Sequence, residues 1–185
     1  MIISHYIHTK LGKTTEFRIE KASKKDLPEI IELFKKVASV TNPEWFSTTE
    51  EKIQTSILNP NNFPIIVKHQ NKIVGFGVAI RTPNKIYPLC QDLYDVNCDL
   101  PKGNFAGLHN MFVDPDYRSL GLQKAIINTL CKEIGFYGID SVIATVHPDN
   151  IFSANNFINA GFVIANDKPV DKFNSKRNYW IKIIV

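Results

Sequence analysis

Apolar and polar positions change their period several times along the chain, and each change marks an element. Phe17 and Ile19 alternate with Arg18 and Glu20, as in a half-buried strand. Ser23 then precedes Lys24, Lys25 and Asp26, and Leu27, Ile30, Ile31, Leu33, Phe34 and Val37 recur at helical spacing, which predicts a capped amphipathic helix. Thr48 or Thr49 is placed to cap a second helix carrying Ile53, Ile57 and Leu58, and Asn59-Pro60-Asn61-Asn62 ends it. Residues 65–68 and 72–80, joined at Gln70-Asn71, read as an antiparallel hairpin. Gly75 and Gly77 inside its second strand predict a bulge or a close backbone approach. The segment 83–106 has three prolines (Pro83, Pro88 and Pro101) and no clear period, and irregular segments of that length are usually functional or mobile. Beyond it the pattern predicts strands over 108–113 and 141–147, helices over 122–136 and 150–160, a C-cap at Gly161, and late strands over 162–165 and 179–185. Residues 1–7 read as a short strand or an ordered arm. The order of elements is not a βαβ repeat, so the fold expected is α/β with a largely antiparallel sheet: an arm or extra strand over 1–16, and one domain over 17–185.

Composition narrows the function classes. Hydrophobic residues make up 44% of 185, enough for a sizeable core and too many for disorder. The 22 basic and 18 acidic residues leave a net charge of +4, which suits a small anionic ligand but is too slight and scattered for nucleic acid. The pairs Lys24-Lys25 and Lys35-Lys36 read as solvated helix faces. Cys90, Cys98 and Cys131 are odd in number, widely spaced and without a CxxC, which argues against a disulfide framework and against a zinc site; no metal is expected. Cys131 falls on a helical pattern and belongs to the core. Residues 1–11 lack a signal-peptide pattern and no apolar stretch is long enough to cross a membrane, so the expectation is a cytoplasmic protein with no membrane partner.

One stretch carries candidate chemistry. Val113-Asp114-Pro115-Asp116-Tyr117-Arg118-Ser119-Leu120-Gly121-Leu122-Gln123 lies between an apolar strand and an apolar helix. A strand, tight turn and helix in that order aim backbone N–H groups and the positive end of the helix dipole at one spot. Arg118 adds a fixed charge, so an anion belongs there and a phosphate fits.

With this turn and a second motif, the chain resembles the GNAT superfamily of acyl-CoA-dependent N-acyltransferases. The family's Arg/Gln-x-x-Gly-x-Gly/Ala turn corresponds to Arg118-Ser119-Leu120-Gly121-Leu122-Gln123. Its Asn-x-x-small helix, closing on Gly-Phe, corresponds to Asn150, Ser153, Ala154, Phe157, Gly161 and Phe162. The likeness runs from about Phe17 onward and is strongest over 107–162. It implies a mixed, mostly antiparallel sheet flanked by helices with splayed central strands, and acetyl-CoA as co-substrate. The amides of Ser119, Leu120, Gly121, Leu122 and Gln123, with Arg118, would hold the pyrophosphate. The edge of Met111, Phe112 and Val113 would pair with the pantetheine arm, and the Met111 N–H would polarise the thioester carbonyl. Asn150 would bond the arm, cap the following helix, or both; Ser153 would touch the arm and Phe157 would lie near the sulfur. Two residues depart from the pattern. Gln123 replaces a small residue, where it would lie along the helix flank or bond the cofactor or substrate. Phe157 stands where many members carry a tyrosine acid.

The activity implied is N-acetyl transfer by direct attack of a primary amine, of a small molecule or a protein. A lysine-like amine is neutral only about once in 2,500 at pH 7, so a general base or a water chain is expected. His109 is the leading candidate, and strand alternation predicts Asn110 on the opposite face. His147 lines the splay or anchors its loop. Acceptor recognition would fall to 40–49 with Trp45 and Phe46, to 83–106 with Tyr87, Tyr94 and Phe105, and to 168–177 with Phe173. Asp92, Asp95 and Asp99 would attract a cationic amine; Lys168, Lys172, Lys176 and Arg177 would clamp the 3′-phosphate or an acidic substrate, or be solvated. The alternative function is a non-catalytic acyl-CoA-binding or regulatory module. A homodimer is common in the family.

Overall fold

In the computed structural model, which describes residues 2–8, 14–46, 48–81, 103–166, 169–172 and 175–184, strands form a sheet in the order β1 (Ile2–His8), β2 (Thr14–Lys21), β3 (Asn62–His69), β4 (Lys72–Arg81), β5 (Phe105–Val113), β6 (Ser141–Val146), β9 (Ser175–Ile183), β7 (Val163–Ile164). A short β8 (Val170–Lys172) pairs with the start of β9. All pairings are antiparallel except β5 with β6. That parallel pair is joined through α3 (Leu122–Gly135), the crossover that a parallel connection requires.

Helices cover both faces. On one, α1 (Leu27–Ala38) and α2 (Glu50–Leu58) bury Ile30, Leu33, Val37 and Ile53 against Ile66, Phe76, Val78 and Phe112. On the other, α3 and α4 (Ile151–Asn159) bury Ile126, Ile127, Leu130 and Phe157 against Val67, Ala79, Leu108, Val142 and Ala144. Cys131 lies in this second core, and burial pushes its thiol up to about 11, so it is an inert apolar group there.

The periodicity places α1, the hairpin, α3, β6 and α4 where they are found. The Ser23 backbone N–H and hydroxyl both donate to the Asp26 carboxylate at the entry to α1, at 2.9 and 2.7 Å. The Thr49 hydroxyl caps α2 by accepting from the Lys52 N–H. Gln70 and Asn71 both have positive φ, 49° and 69°, as a tight hairpin turn requires. Gly161, at φ 84°, closes α4. The pattern places β9 four residues too late, because the polar start of that strand (Ser175 to Asn178) hides it, and it does not find β8. Most of the 83–106 segment lies outside the described residues, with Cys90 and Cys98.

The central strands carry the irregularity that matters. Phe76 opposes Phe112 and Val78 opposes His109, so Gly77 alone faces both Asn110 and Met111: β5 bulges there. A Cβ at Gly77 would sit 2.5 Å from Ile126 and 3.0 Å from Met111, so only glycine lets β5 and α3 close over this point. Asn110 takes φ 49°, a left-handed conformation that asparagine tolerates. The bulge overturns the expected alternation: Asn110 does not face away from the helix that His109 faces, but turns to α2 and bonds Thr48 and Ser56. Beyond this point the sheet opens. β5 and β6 pair only from Phe105 to Gly107 with Ser141 to Ile143, and past Gly107 the two strands splay.

Candidate active site

The splay leads directly into the turn. Asp114 ends β5 with its N–H on the Val74 carbonyl, and its carboxylate accepts from the Asp116 N–H to start a single 3-10 turn, Pro115–Tyr117. That carboxylate is 0% exposed, with the Lys36 ammonium 2.6 Å away and Lys72 at 3.5 Å. Burial alone would raise its pKa, but the Lys36 bond, the Asp116 amide and the two lysine charges outweigh it and hold Asp114 below the usual carboxylate range. The bond to Asp114, and a second at 2.6 Å to the Asp116 carboxylate, hold Lys36 above its ordinary value. The ion pair thus fastens α1 to the turn.

After it, Ser119 and Gly121 both have positive φ, 64° and 72°, and Gly121 is the N-cap of α3. Alternating handedness curls the backbone into a concave nest, and the first-turn amides of α3 have no acceptor within the helix. A Cβ at Gly121 would meet nothing within 4 Å, so the glycine is required by its backbone angle and by what approaches from outside. Arg118 is exposed beside the nest and reaches the Thr41 hydroxyl at 3.3 Å.

One cleft of about 1320 Å³ joins this nest to the bulge. Of the residues singled out from the sequence, His109, Met111, Phe112, Val113, Arg118, Ser119, Gly121, Leu122, Gln123, Asn150, Ser153 and Phe157 line it. Leu120 does not; its side chain packs on the α3 core. Asn150 caps α4 by accepting from the Ser153 N–H at 3.1 Å. Gln123 neither blocks the cleft nor points away from it. Its amide donates to the Ser153 hydroxyl and accepts from Asn156, both at 3.1 Å, clasping α3 to α4. Phe157 is 1% exposed, packed edge-on against Phe162 at 5.0 Å and stacked on Trp180 at 6.4 Å.

The far end lies beneath α2. His109 is half-buried there; burial first, then the Lys52 charge, lowers its pKa to about 4. Asn110 donates to Ser56 Oγ at 3.0 Å and accepts from Thr48 at 2.7 Å, and Ser56 donates to the Lys52 carbonyl. Asn62, 4% exposed, donates to the Ser56 carbonyl at 3.2 Å, while its Oδ1 has no hydrogen-bond partner among the described residues. Trp45 and Phe46 line the cleft as expected, and the Trp45 indole N–H is likewise buried without a partner among the described residues. Sequence reading passes over Lys52, Ser56 and Asn62, which come from a helix and a strand start with no motif. Asn110 carries a weak signal, an asparagine inside an apolar strand opposite Gly77.

The remaining described candidates lie outside the cleft lining. The His147 ring accepts from the Asp149 N–H at 3.1 Å and anchors its loop; it does not line the cleft. Arg177 is 3% exposed and donates to the Glu44 carbonyl at 2.8 Å, which commits it to holding the segment around Trp45. Lys176 pairs with Asp171 at 2.9 Å. Tyr87, Asp92, Tyr94, Asp95, Asp99, Lys168 and Phe173 lie outside the described residues, as does the Lys172 side chain. Among the described residues, no helix is long and apolar enough to cross a membrane.

The comparisons fit this geometry. The profile of the Acetyltransferase (GNAT) family matches residues 27–162, well over half of the chain. The chain belongs to that family, and it is an acyltransferase of the GNAT type. Acetyl-CoA is the family's general co-substrate. No curated protein matches the sequence. Among solved structures, the GNAT domain of S. lividans PAT superimposes with a TM-score of 0.71 at 12% identity, covering 97% of this chain and 96% of that one. The ribosomal-protein-S18-alanine N-acetyltransferase from Escherichia coli gives 0.67 at 16%, covering 91% and 94%. Ard1 from Thermoplasma volcanium gives 0.66 at 17%, covering 91% and 98%. At these identities the likeness is one of fold.

Proposed function

We propose that this protein transfers an acetyl group from acetyl-CoA to a primary amine by direct attack, with no acyl-enzyme. The observation that carries this reading is the continuity of the cleft from the phosphate-sized nest to the bulge. The residues fit the cofactor: the nest takes the pyrophosphate, Arg118 adds charge, and the open edge of Met111 to Val113 pairs with the amide-bearing arm. The arm passes Asn150 and Ser153, and the Met111 N–H, turned by the bulge, faces the thioester oxygen as charge develops on it. The amine nitrogen attacks the carbonyl carbon, the C–N bond forms, the C–S bond breaks, and the proton lost from nitrogen ends on the CoA sulfur. His109 is neutral above about pH 4 and can hold that proton in transit, though so weak a base gives little driving force. Phe157 donates no proton, so the sulfur leaves as thiolate and receives the amine's proton through water.

Calorimetry with acetyl-CoA, followed by a free-thiol assay over primary amines, tests this. Micromolar binding with amine-dependent thiol release is expected. Binding without turnover of any amine would favour the non-catalytic acyl-CoA-binding module, the reading that the buried Phe157 keeps open.

A further inference from the structure

One wall of the cleft is a short strap that spans the splay. Residues 42–46 follow α1 as a single 3-10 turn: the Asn42 side chain accepts from the Glu44 N–H at 3.0 Å, and the Phe46 N–H donates to the Pro43 carbonyl at 3.2 Å. Phe46 ties the strap to the α1 side, its ring 5.6 Å from that of Phe34 and 5.8 Å from that of Phe112 on β5. Arg177 ties it to the other side. It stands on β9, one position before Asn178, which pairs with Val146 at the end of β6. Its guanidinium donates to the Glu44 carbonyl at 2.8 Å, 133 positions away in sequence, and to the Lys176 carbonyl at 2.9 Å. Trp45, between the two anchors, lines the cleft, and its ring lies 6.5 Å from that of His147, the residue that follows β6.

A buried cation is a costly way to hold a loop. Arg177 is 3% exposed; burial pulls its pKa below the usual arginine value, and the Glu44 charge works against that. Taking such a charge out of water is unfavourable unless its donors find acceptors. A neutral side chain would serve packing alone. The planar fork does more: it fixes where the Glu44 main chain sits, and so how the next residue, Trp45, projects. Arg177 itself does not line the cleft, so it acts on the reaction only through the strap. Building on the transfer reading, we propose that Arg177 is a positioning residue for the acceptor: it locks Trp45 as the wall against which the amine docks. The cofactor end stands apart from it, because the nest is built from the main chain of 118–123 and the guanidinium bonds the main chain at 44 and 176.

Arg177→Met, Arg177→Lys, Trp45→Ala and the double variant of Arg177→Met with Trp45→Ala test it, in the thiol-release assay with alaninamide and with Nα-acetyl-lysinamide. Arg177→Met should raise the KM for the amine at least tenfold, with kcat and the Kd for acetyl-CoA within threefold of wild type. Trp45→Ala should raise that KM as much, and Arg177→Met should add less than twofold to it, because both act through one side chain. Arg177→Lys keeps the charge without the fork and should fall between wild type and Arg177→Met; it carries the test if the methionine variant does not fold. Acrylamide quenching of Trp45, with the share of Trp180 taken from Trp45→Ala, should rise at least twofold in Arg177→Met. An unchanged KM or unchanged quenching would overturn the proposal. So would losses that multiply in the double variant, or equal losses of acetyl-CoA binding and amine capture, which mark a merely structural role. A wild type that does not bind acetyl-CoA, or releases no thiol with either amine, would be a different result: it would remove the transfer reading, and the proposal with it.

Discussion

The two ends of the cleft are built by different logic. The nest end is local. Asp114 to Gln123 are contiguous, their work is done by backbone amides and left-handed angles, and one buried ion pair to Lys36 fastens them to α1. The bulge end is assembled. His109 and Asn110 come from β5, Lys52 and Ser56 from α2, Thr48 from the preceding loop and Asn62 from the start of β3. A backbone site tolerates changes of side chain and is destroyed by changes of conformation; an assembled site does the reverse.

The largest expected effect follows at the nest. Gly121→Trp should weaken acetyl-CoA at least 100-fold, with loss of the calorimetric signal. Because a side chain there meets no protein atom within 4 Å, the stability cost should stay near the left-handed penalty of about 1–2 kcal/mol. A collapsed fold would show instead that the glycine serves packing, and the contrast between the ends would fail.

At the assembled end, Asn110→Ala removes the bonds to Thr48 and Ser56 and puts alanine at φ 49°. A loss of about 2 kcal/mol in chemical denaturation is expected. Acetyl-CoA should still bind within threefold while turnover falls tenfold or more. Equal losses of binding and turnover would mean that the bulge belongs to the cofactor site as well.

How much of this was legible in the sequence follows the same division. The nest could be read because its residues are adjacent and each has one backbone reason to be there; Asp114-Pro115 starts the turn, Gly121 supplies the angle and α3 follows. Leu120, between two left-handed neighbours, packs its side chain on the core, which leaves the expected role of its amide untouched. The assembled end could not be read. Period-two alternation places Asn110 on the wrong face, because a bulge adds a residue without announcing itself except through Gly77 on the other strand. Asn62 looked like the end of a helix-stop run and became the first residue of β3. Arg177 looked like a surface cation and is buried on a carbonyl more than a hundred residues away in sequence.

His109 sharpens the comparison through pH. Its folded pKa, about 4, lies below the unfolded value near 6.5, so the unfolded chain binds the proton first. The stability held above pH 6.5 should decline as pH falls from about 6.5 to about 4. Urea midpoints across that range should show the decline in wild type and a smaller one in His109→Gln. Between pH 6 and 8 the turnover profile should carry no histidine inflection. An inflection near 6.5 that disappears in His109→Gln would mean the ring is better solvated than its packing indicates.

The smallest effect should come from Gln123→Ala, although this position departs most visibly from the family's turn. The amide bonds to Ser153 and Asn156 join α3 to α4 across the cleft wall, and partly exposed bonds of this kind contribute about 1 kcal/mol together. Alanine restores the small residue usual there, and the nest is made of main-chain amides that the substitution does not touch. Acetyl-CoA affinity should therefore change by less than threefold. Ser153, released from the clasp, becomes free to turn its hydroxyl to the pantetheine arm, so a slight tightening is the expected direction. A tenfold loss would show that the clasp, rather than the backbone, sets the width of the cofactor channel, and that the nest end is as dependent on distant side chains as the acceptor end.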